Sequence, residues 1–366
     1  MYSPKLQALL SLNFGFMIPS CVSLMSRLSH LLPSCGLSYL SLLTGSDVDA
    51  ITNIVIEEKD DFISCLSYIK LGASLSVIWG LVSDDVAQAA GQNISAVKDE
   101  LQTDQTARWQ AVVMFKHLLM PVGMPWKLKR HSMDFLLSIT SKTNARNEEA
   151  DCSLYMPRLF VALQALTKFI ICEPEASLRK DAFQALKMVL ADIPVPQRFD
   201  ILHALIIDSD SPSMIALLLD LARGELHKSC QRMSTGTEEV LPTENQSHWT
   251  SGVLELVELV LRPPGGVPPS FPEQGDAVLA ALNLYRFILI SESAGKIHTG
   301  ALSKATLLKA YNEWLLPLRT LVMGIMAVNK DGCDPDTVDA ICALNPVELV
   351  LYRCIELVEE KMKDAV

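Results

Sequence analysis

Ser177-Leu-Arg-Lys-Asp-Ala-Phe-Gln-Ala-Leu-Lys-Met-Val-Leu190 places Leu178, Ala182, Ala185, Leu186 and Val189 at spacings of three and four, with Arg179, Lys180, Asp181, Gln184 and Lys187 on the other faces. That is the period of an amphipathic helix and not the alternation of a half-buried strand. Pro174 precedes the helix and Pro194 and Pro196 close it, since proline cannot continue a helical ladder. A second apolar stripe fills 199–207. Asp208-Ser-Asp-Ser-Pro212 then offers a polar turn with N-cap candidates ahead of a third stripe at 214–226. Three helices joined by such short links turn back on one another, and each is more apolar than one free face requires.

The pattern extends in both directions from this centre. Further helices are expected at 47–57, 60–90, 96–120, 126–141, 155–171, 252–262, 276–291, 303–328 and 346–363. The chain of 366 residues is 49% hydrophobic and 20% charged, with 6% aromatic residues, so its apolar content is mainly aliphatic. Such a composition excludes a disordered chain and suits helix interiors better than strands. At about 150 residues per domain the length admits two or three domains, or a repeat array. The fold expected is all-α: a HEAT/armadillo-like α-solenoid of stacked antiparallel helices, each layer burying its stripe on the next. No residue pattern repeats at the period of roughly 40–47 that such units use, so the expectation rests on architecture.

Polar stretches suggest the divisions. Residues 141–151 read as a loop, 230–247 as a mobile polar insertion, and Pro263-Pro-Gly-Gly-Val-Pro-Pro269 as a stiff turn. The expected organisation is 1–229, an N-terminal part of the solenoid, then the 230–247 loop, then a C-terminal helical part at 248–366.

With 31 basic against 42 acidic residues the net charge is −11, which disfavours a phosphate backbone as partner. Lys127, Lys129, Arg130 and His131 form one basic cluster. The nine cysteines are scattered, mostly among Leu, Ile and Val, and read as reduced interior thiols in the cytoplasm or nucleus. His227 and Cys230 make a single HxxC pair with no second pair to complete a metal site. The apolar runs at 9–21 and 71–82 are too short or too interrupted for a membrane span. Asn93-Ile-Ser95 and Asn245-Gln-Ser247 would matter only in a secreted chain.

No phosphate-loop, dinucleotide, zinc-protease, nucleophile-elbow or calcium-loop pattern occurs, and the seven histidines lie apart. No catalytic residue, cofactor, metal or small-molecule substrate is expected. In 253–261 the polar positions fall on one narrow stripe, so that helix is enclosed. Leu308-Lys-Ala-Tyr-Asn-Glu-Trp-Leu-Leu-Pro-Leu-Arg319 crowds together Trp, Tyr and Arg, the residue types that anchor interfaces, although core packing would use them equally. The last helix sets Val347, Val350, Leu351, Cys354 and Val358 inward and Glu348, Arg353, Glu356, Glu359 and Glu360 outward, leaving Leu349 and Tyr352 on a flank. A solvated end-cap helix would look the same.

Leu261-Arg-Pro-Pro-Gly-Gly-Val-Pro-Pro-Ser-Phe-Pro-Glu-Gln-Gly-Asp-Ala-Val-Leu-Ala-Ala-Leu-Asn-Leu-Tyr-Arg-Phe287, Lys309-Ala-Tyr-Asn-Glu-Trp-Leu-Leu-Pro-Leu-Arg319 and Leu344-Asn-Pro-Val-Glu-Leu-Val-Leu-Tyr-Arg-Cys-Ile-Glu-Leu-Val-Glu-Glu360 closely resemble the glomulin family, in particular its plant members. The resemblance is most specific from 261 onward and reaches back more weakly to Tyr155. It implies a HEAT-like solenoid whose C-terminal part binds the RING-box subunit of cullin-RING (SCF-type) ubiquitin ligases. Covering the RING surface used by the ubiquitin-conjugating enzyme would block ubiquitin transfer, with effects on protein turnover and, in plants, on lateral root formation. Family members are longer, and this chain reads as a version lacking their N-terminal part, so that its Leu-rich first 43 residues would leave an apolar face uncovered. Residue types within the resembling strings point to Tyr311, Trp314 and Leu315 as anchors, with Arg319, Asn345, Tyr352, Arg353 and Glu356 as polar or flanking contacts. The alternative is a generic HEAT-like adaptor that uses the concave face of the middle helices.

Overall fold

A computed structural model of the protein describes residues 19–45, 62–120, 124–141, 154–234, 244–262, 268–329 and 335–364. Every extended regular element among the described residues is a helix and none is a strand, so the protein is all-α. The chain forms two compact units, Met1–Pro194 and Val195–Val366.

The first unit contains α1 (Pro19–Ser29), α2 (Leu31–Ser34), α3 (Tyr39–Thr44), α4 (Phe62–Val82), α5 (Asp84–Ala89), α6 (Ile94–Thr103), α7 (Gln105–Leu119), α8 (Trp126–Thr140), α9 (Met156–Cys172) and α10 (Ala176–Asp192). α7 packs on both α8 and α9, α8 packs on α10, and α9 packs on α10. Consecutive helices pair, and each pair stacks on the next, first on first and second on second. That is the layer rule of an α-solenoid. The deciding helix, α10, buries Leu178, Ala182, Ala185, Leu186 and Val189, the stripe legible in its sequence.

Two long helices expected in this unit are divided by caps. The stretch 60–90 breaks at Ser83 between α4 and α5. The stretch 96–120 breaks at Asp104, whose backbone is extended and whose carboxylate accepts from the Ala107 amide at 3.0 Å. An aspartate that caps a new helix ends the old one, because its own backbone leaves the helical region. Asn93 does the same for α6, accepting from the amides of Ser95 and Ala96 at 2.9 and 3.3 Å.

The second unit contains α11 (Val195–Asp208), α12 (Pro212–Ser234), α13 (Glu244–Leu261), α14 (Gly275–Ser293), α15 (Lys304–Lys309), a π turn (Ala310–Leu315), α16 (Leu316–Asn329) and α17 (Pro335–Asp364). Here α11 packs on α12 and α13, α12 on α14, and α13 on α14, repeating the layer rule within this unit. α14 then packs on α17, and α17 on α16. α14 is buried along most of its length, including Leu282, Tyr285 and Ile288.

The division at Pro194 differs from the boundary expected at 230–247. Cys230 falls four residues after buried Leu226 and is itself buried, so the apolar stripe carries α12 on to Ser234; helix resumes at Glu244. The stop occurs instead at Ile193, in extended conformation before Pro194, because the residue before a proline is pushed out of the helical region. Likewise the last helix begins at Pro335 and runs through Pro346, where 346 was the expected start. The helix expected at 47–57, most of the apolar run 9–21, residues 142–151, 235–243 and the 263–267 part of the Pro-Gly turn lie outside the described residues. No described helix is long and apolar enough to cross a membrane.

Candidate functional site

The Trp, Tyr and Arg of 308–319 straddle the π turn. Pro317 has no amide hydrogen, so the Glu313 carbonyl cannot receive the usual bond from four residues on. The ladder widens just before it, with the Leu316 amide donating to the Tyr311 carbonyl, five residues back. Widened turns of this kind re-aim side chains and recur at functional sites.

The turn aims Trp314 inward. Its side chain is 2% exposed and meets the ring of buried Tyr285 edge-on, with centroids 5.7 Å apart and planes at 73°. Leu315 is fully buried. Two of the three residues expected as interface anchors therefore belong to the core of the unit. Burial of a Trp is worth several kcal/mol wherever it occurs, and residue type alone does not tell a core from an interface. Tyr311 is half-buried at the surface, and its hydroxyl donates to a Glu359 carboxylate oxygen at 2.9 Å. That hydrogen bond, followed by partial burial, raises its pKa above the ordinary phenol value, so the hydroxyl stays a donor.

Charged side chains fix this region. Lys309 donates to Glu258 at 2.7 Å, and Arg262 lies against Glu313 and 3.9 Å from Glu258, so α13 is tied to α15 and the π turn. Lys309 also sits 5.9 Å above the Trp314 ring.

The remaining candidates gather on the outer side of α17. Asn345, Leu349 and then the adjacent Tyr352 and Arg353 and finally Glu356 lie three or four residues apart along the helix, on one face. Val347, Leu351, Cys354 and Val358 are buried on the opposite face, as their spacing required. Cys354 donates its thiol to the Leu282 carbonyl at 3.5 Å, and burial pushes its pKa up to about 12. On the outer face Arg319 of α16 lies over the Tyr352 ring at 5.3 Å, and Arg353 pairs with Glu356 at 2.9 Å with both side chains in solvent. Asn345 is exposed.

The apolar residue at the centre of that face is Leu349, 74% exposed. One turn along α16 from Arg319, Met323 is 46% exposed. Neither is among the expected contacts, although spacing already leaves Leu349 on a flank of the last helix. The signal was present for Leu349, which falls off the 347/350/351/354/358 stripe and so cannot be a core position of the same helix.

Residues 134–361 match the model of a family described as "Uncharacterised protein family, YAP/Alf4/glomulin". The chain belongs to that family. Within the YAP/Alf4/glomulin family it is similar to Aberrant root formation protein 4 of Arabidopsis thaliana, with 45% identity over 376 residues, covering 99% of this chain and 58% of that protein. It is also similar to Glomulin of Homo sapiens, with 23% identity over 157 residues, covering 42% of this chain and 24% of that protein. The chain thus spans little more than half the length of one curated relative and about a quarter of the other. The region matched to the family model includes the π turn and nearly all of α17.

Elsewhere two residues singled out in the sequence make contacts within the fold. Lys129 of the basic run donates to Glu173 at 2.6 Å and covers the Phe169 ring. His227 shares a hydrogen bond with Gln231 at 3.0 Å, and no group of three potential metal ligands occurs among the described residues.

Proposed function

We propose that the chain is a non-catalytic regulator of cullin-RING ubiquitin ligases, acting in the cytoplasm or nucleus, that binds the RING-box subunit and keeps the ubiquitin-conjugating enzyme away. The support is membership of the YAP/Alf4/glomulin family, whose relative is named for aberrant root formation, joined to one observation: the outer face of α17 carries Leu349 in solvent, with Asn345 one turn before it and Tyr352, Arg353 and Glu356 after it. A steric competitor needs an apolar centre with a charged rim, and this face has both. The contact set proposed is Leu349, Tyr352 and Arg353, with Arg319, Asn345, Glu356 and Tyr311 around them. Trp314 and Leu315 stay in the core of the unit, Trp314 against Tyr285, and are not part of the contact set.

Titrating the full chain against a RING-box and cullin C-terminal subcomplex, with the conjugating enzyme as competitor, tests this. Mutually exclusive binding that is lost in Leu349→Glu is the expected result. Simultaneous binding of enzyme and chain, or no binding by the folded chain, would overturn it.

A further inference from the structure

We propose that the groove between α12 and α14 is a second docking site, for an acidic amphipathic helix of a partner protein, separate from the α17 face. Two adjoining cavities of about 900 and 480 Å³ share Asp220, Arg223 and Asn283, and together make one open channel along these helices. From Ser213 to Gln231 the channel follows 19 residues of α12, a rise of ~27 Å at 1.5 Å per residue, the length of a five-turn helix.

Three features specify the occupant. The floor is apolar: Phe287 lies there with the His227 ring edge-on at 5.9 Å, and Ile290 is 51% exposed beside it. The rim is cationic. Arg286 and Lys296 have no carboxylate partner among the described residues. Of the acidic groups nearby, Glu292 accepts from the amides of Thr299, Gly300 and Ala301, Glu225 pairs with Arg198 and Lys228, and Asp220 pairs with Arg223; Asp276, at the Ser213 end of the channel, accepts from the Ser213 hydroxyl at 2.9 Å and has no cationic partner among the described residues, so the cationic rim is confined to the Arg286 and Lys296 end. Two cations without a carboxylate partner over an apolar floor, at the end of the channel away from Asp276, attract the acidic residues of a segment that also brings apolar anchors, against the negative net charge of the whole chain.

The third feature is Gly224, in the interior of α12 and on the wall of the channel. A Cβ built there meets nothing within 4 Å, so packing inside the chain does not call for glycine. Helix-interior glycine disfavours the helix, and it is otherwise used where another backbone comes close. An incoming helix seated against Gly224 accounts for it, as small residues do at close helix crossings. Two cations are too few for a nucleic-acid strand, and the apolar floor offers such a ligand little. Helix-in-groove recognition fits both features.

The test is fluorescence anisotropy of the full chain with a labelled 18-residue amphipathic helix bearing Leu on one face and Glu on the other, against its counterpart with Lys for Glu and against a single-stranded oligonucleotide. The acidic peptide is expected to bind at least tenfold tighter than either. Arg286→Glu and Gly224→Leu, the latter filling open space, should each weaken it at least tenfold with helicity and melting temperature retained, while Lys180→Glu on the other unit stays within twofold. Equal binding of the two peptides, tighter binding of the oligonucleotide, or undiminished binding in Gly224→Leu would overturn the assignment. None of these probes involves the RING-box protein, so the outcome is independent of the α17 reading.

Discussion

Arg108 and Asp192 face each other inside the first unit in a two-point contact, Nε to one carboxylate oxygen and Nη2 to the other, both at 2.8 Å, with each side chain 4% exposed. Arg108 also donates from Nη1 to the Leu101 and Gln102 carbonyls at 2.9 Å, and Gln105 donates to the Asp192 carbonyl at 2.8 Å. One guanidinium thus ties the C-terminal ends of α6 and α10 to α7. Removing one partner strands a buried charge. Asp192→Ala is expected to lower stability by about 3–5 kcal/mol, whereas the Arg108→Leu, Asp192→Leu double variant loses less than that single change. Urea unfolding of the three variants checks both statements; a double variant as unstable as Asp192→Ala contradicts them.

Gly224 and Gly252 both lie inside helices, yet alanine should act on them with opposite signs. A Cβ at Gly252 would fall 2.4 Å from Cζ of Phe199, so α11 and α13 meet through the missing side chain. Gly252→Ala forces that ring aside and is expected to cost about 1–3 kcal/mol by overpacking. Gly224→Ala meets open space and should gain roughly 0.5–1 kcal/mol from helix propensity. Thermal melts of the pair would read a fall and a rise against the parent chain.

His117 makes the first unit acid-sensitive. Burial, then the nearby Lys116 and Lys70, lower its pKa from 6.5 to about 4. The folded chain therefore binds this proton less readily than the unfolded chain. Above pH 6.5 the imidazole is neutral in both states and contributes nothing; between about 6.5 and 4 only the unfolded state gains the proton, so stability falls as pH falls. Allowing for its partial exposure, the loss is roughly 1–2 kcal/mol. Melting temperatures from pH 7.5 to 4 should decline less steeply in His117→Gln than in the parent.

Periodicity made the stack of helices legible, because spacing alone decides which face of a helix such as α10 can be covered: all five stripe residues read from 177–190 are buried. What spacing does not encode is where one helix becomes two. Asp104 is an acceptable interior residue until its carboxylate turns back on the Ala107 amide, and Cys230 looks polar in context until it continues the stripe of Leu226. The π turn follows from Pro317 withholding a donor from Glu313, a cue that the sequence carries but that the Trp, Tyr and Arg of the same stretch drew attention away from. The Arg286 and Lys296 rim was invisible for another reason. Its charge emerges from which acidic groups are already occupied by the fold.

The two ends of the proposed α17 interface separate cleanly by mutation, since Trp314 lies inside and Leu349 outside. Trp314→Ala removes a ring packed against Tyr285, and large aromatic-to-alanine changes in cores cost about 3–5 kcal/mol. It should lower the melting temperature strongly, and any effect on binding the RING-box subcomplex should follow the fraction of chain that remains folded. Leu349→Glu alters a side chain that is mostly in solvent, where substitutions usually change stability by less than about 0.5 kcal/mol. It should leave the melt nearly unchanged and weaken binding at least tenfold, because it places a charge at the apolar centre of the contact. Arg353→Glu, one turn on, should act in the same direction and more weakly, since its side chain stays at the wet rim, paired with Glu356. Measuring melts and affinities on the same samples distinguishes the cases. If Leu349→Glu bound as tightly as the parent chain, the outer face of α17 would be a solvated end of the stack, and the interface would have to lie elsewhere.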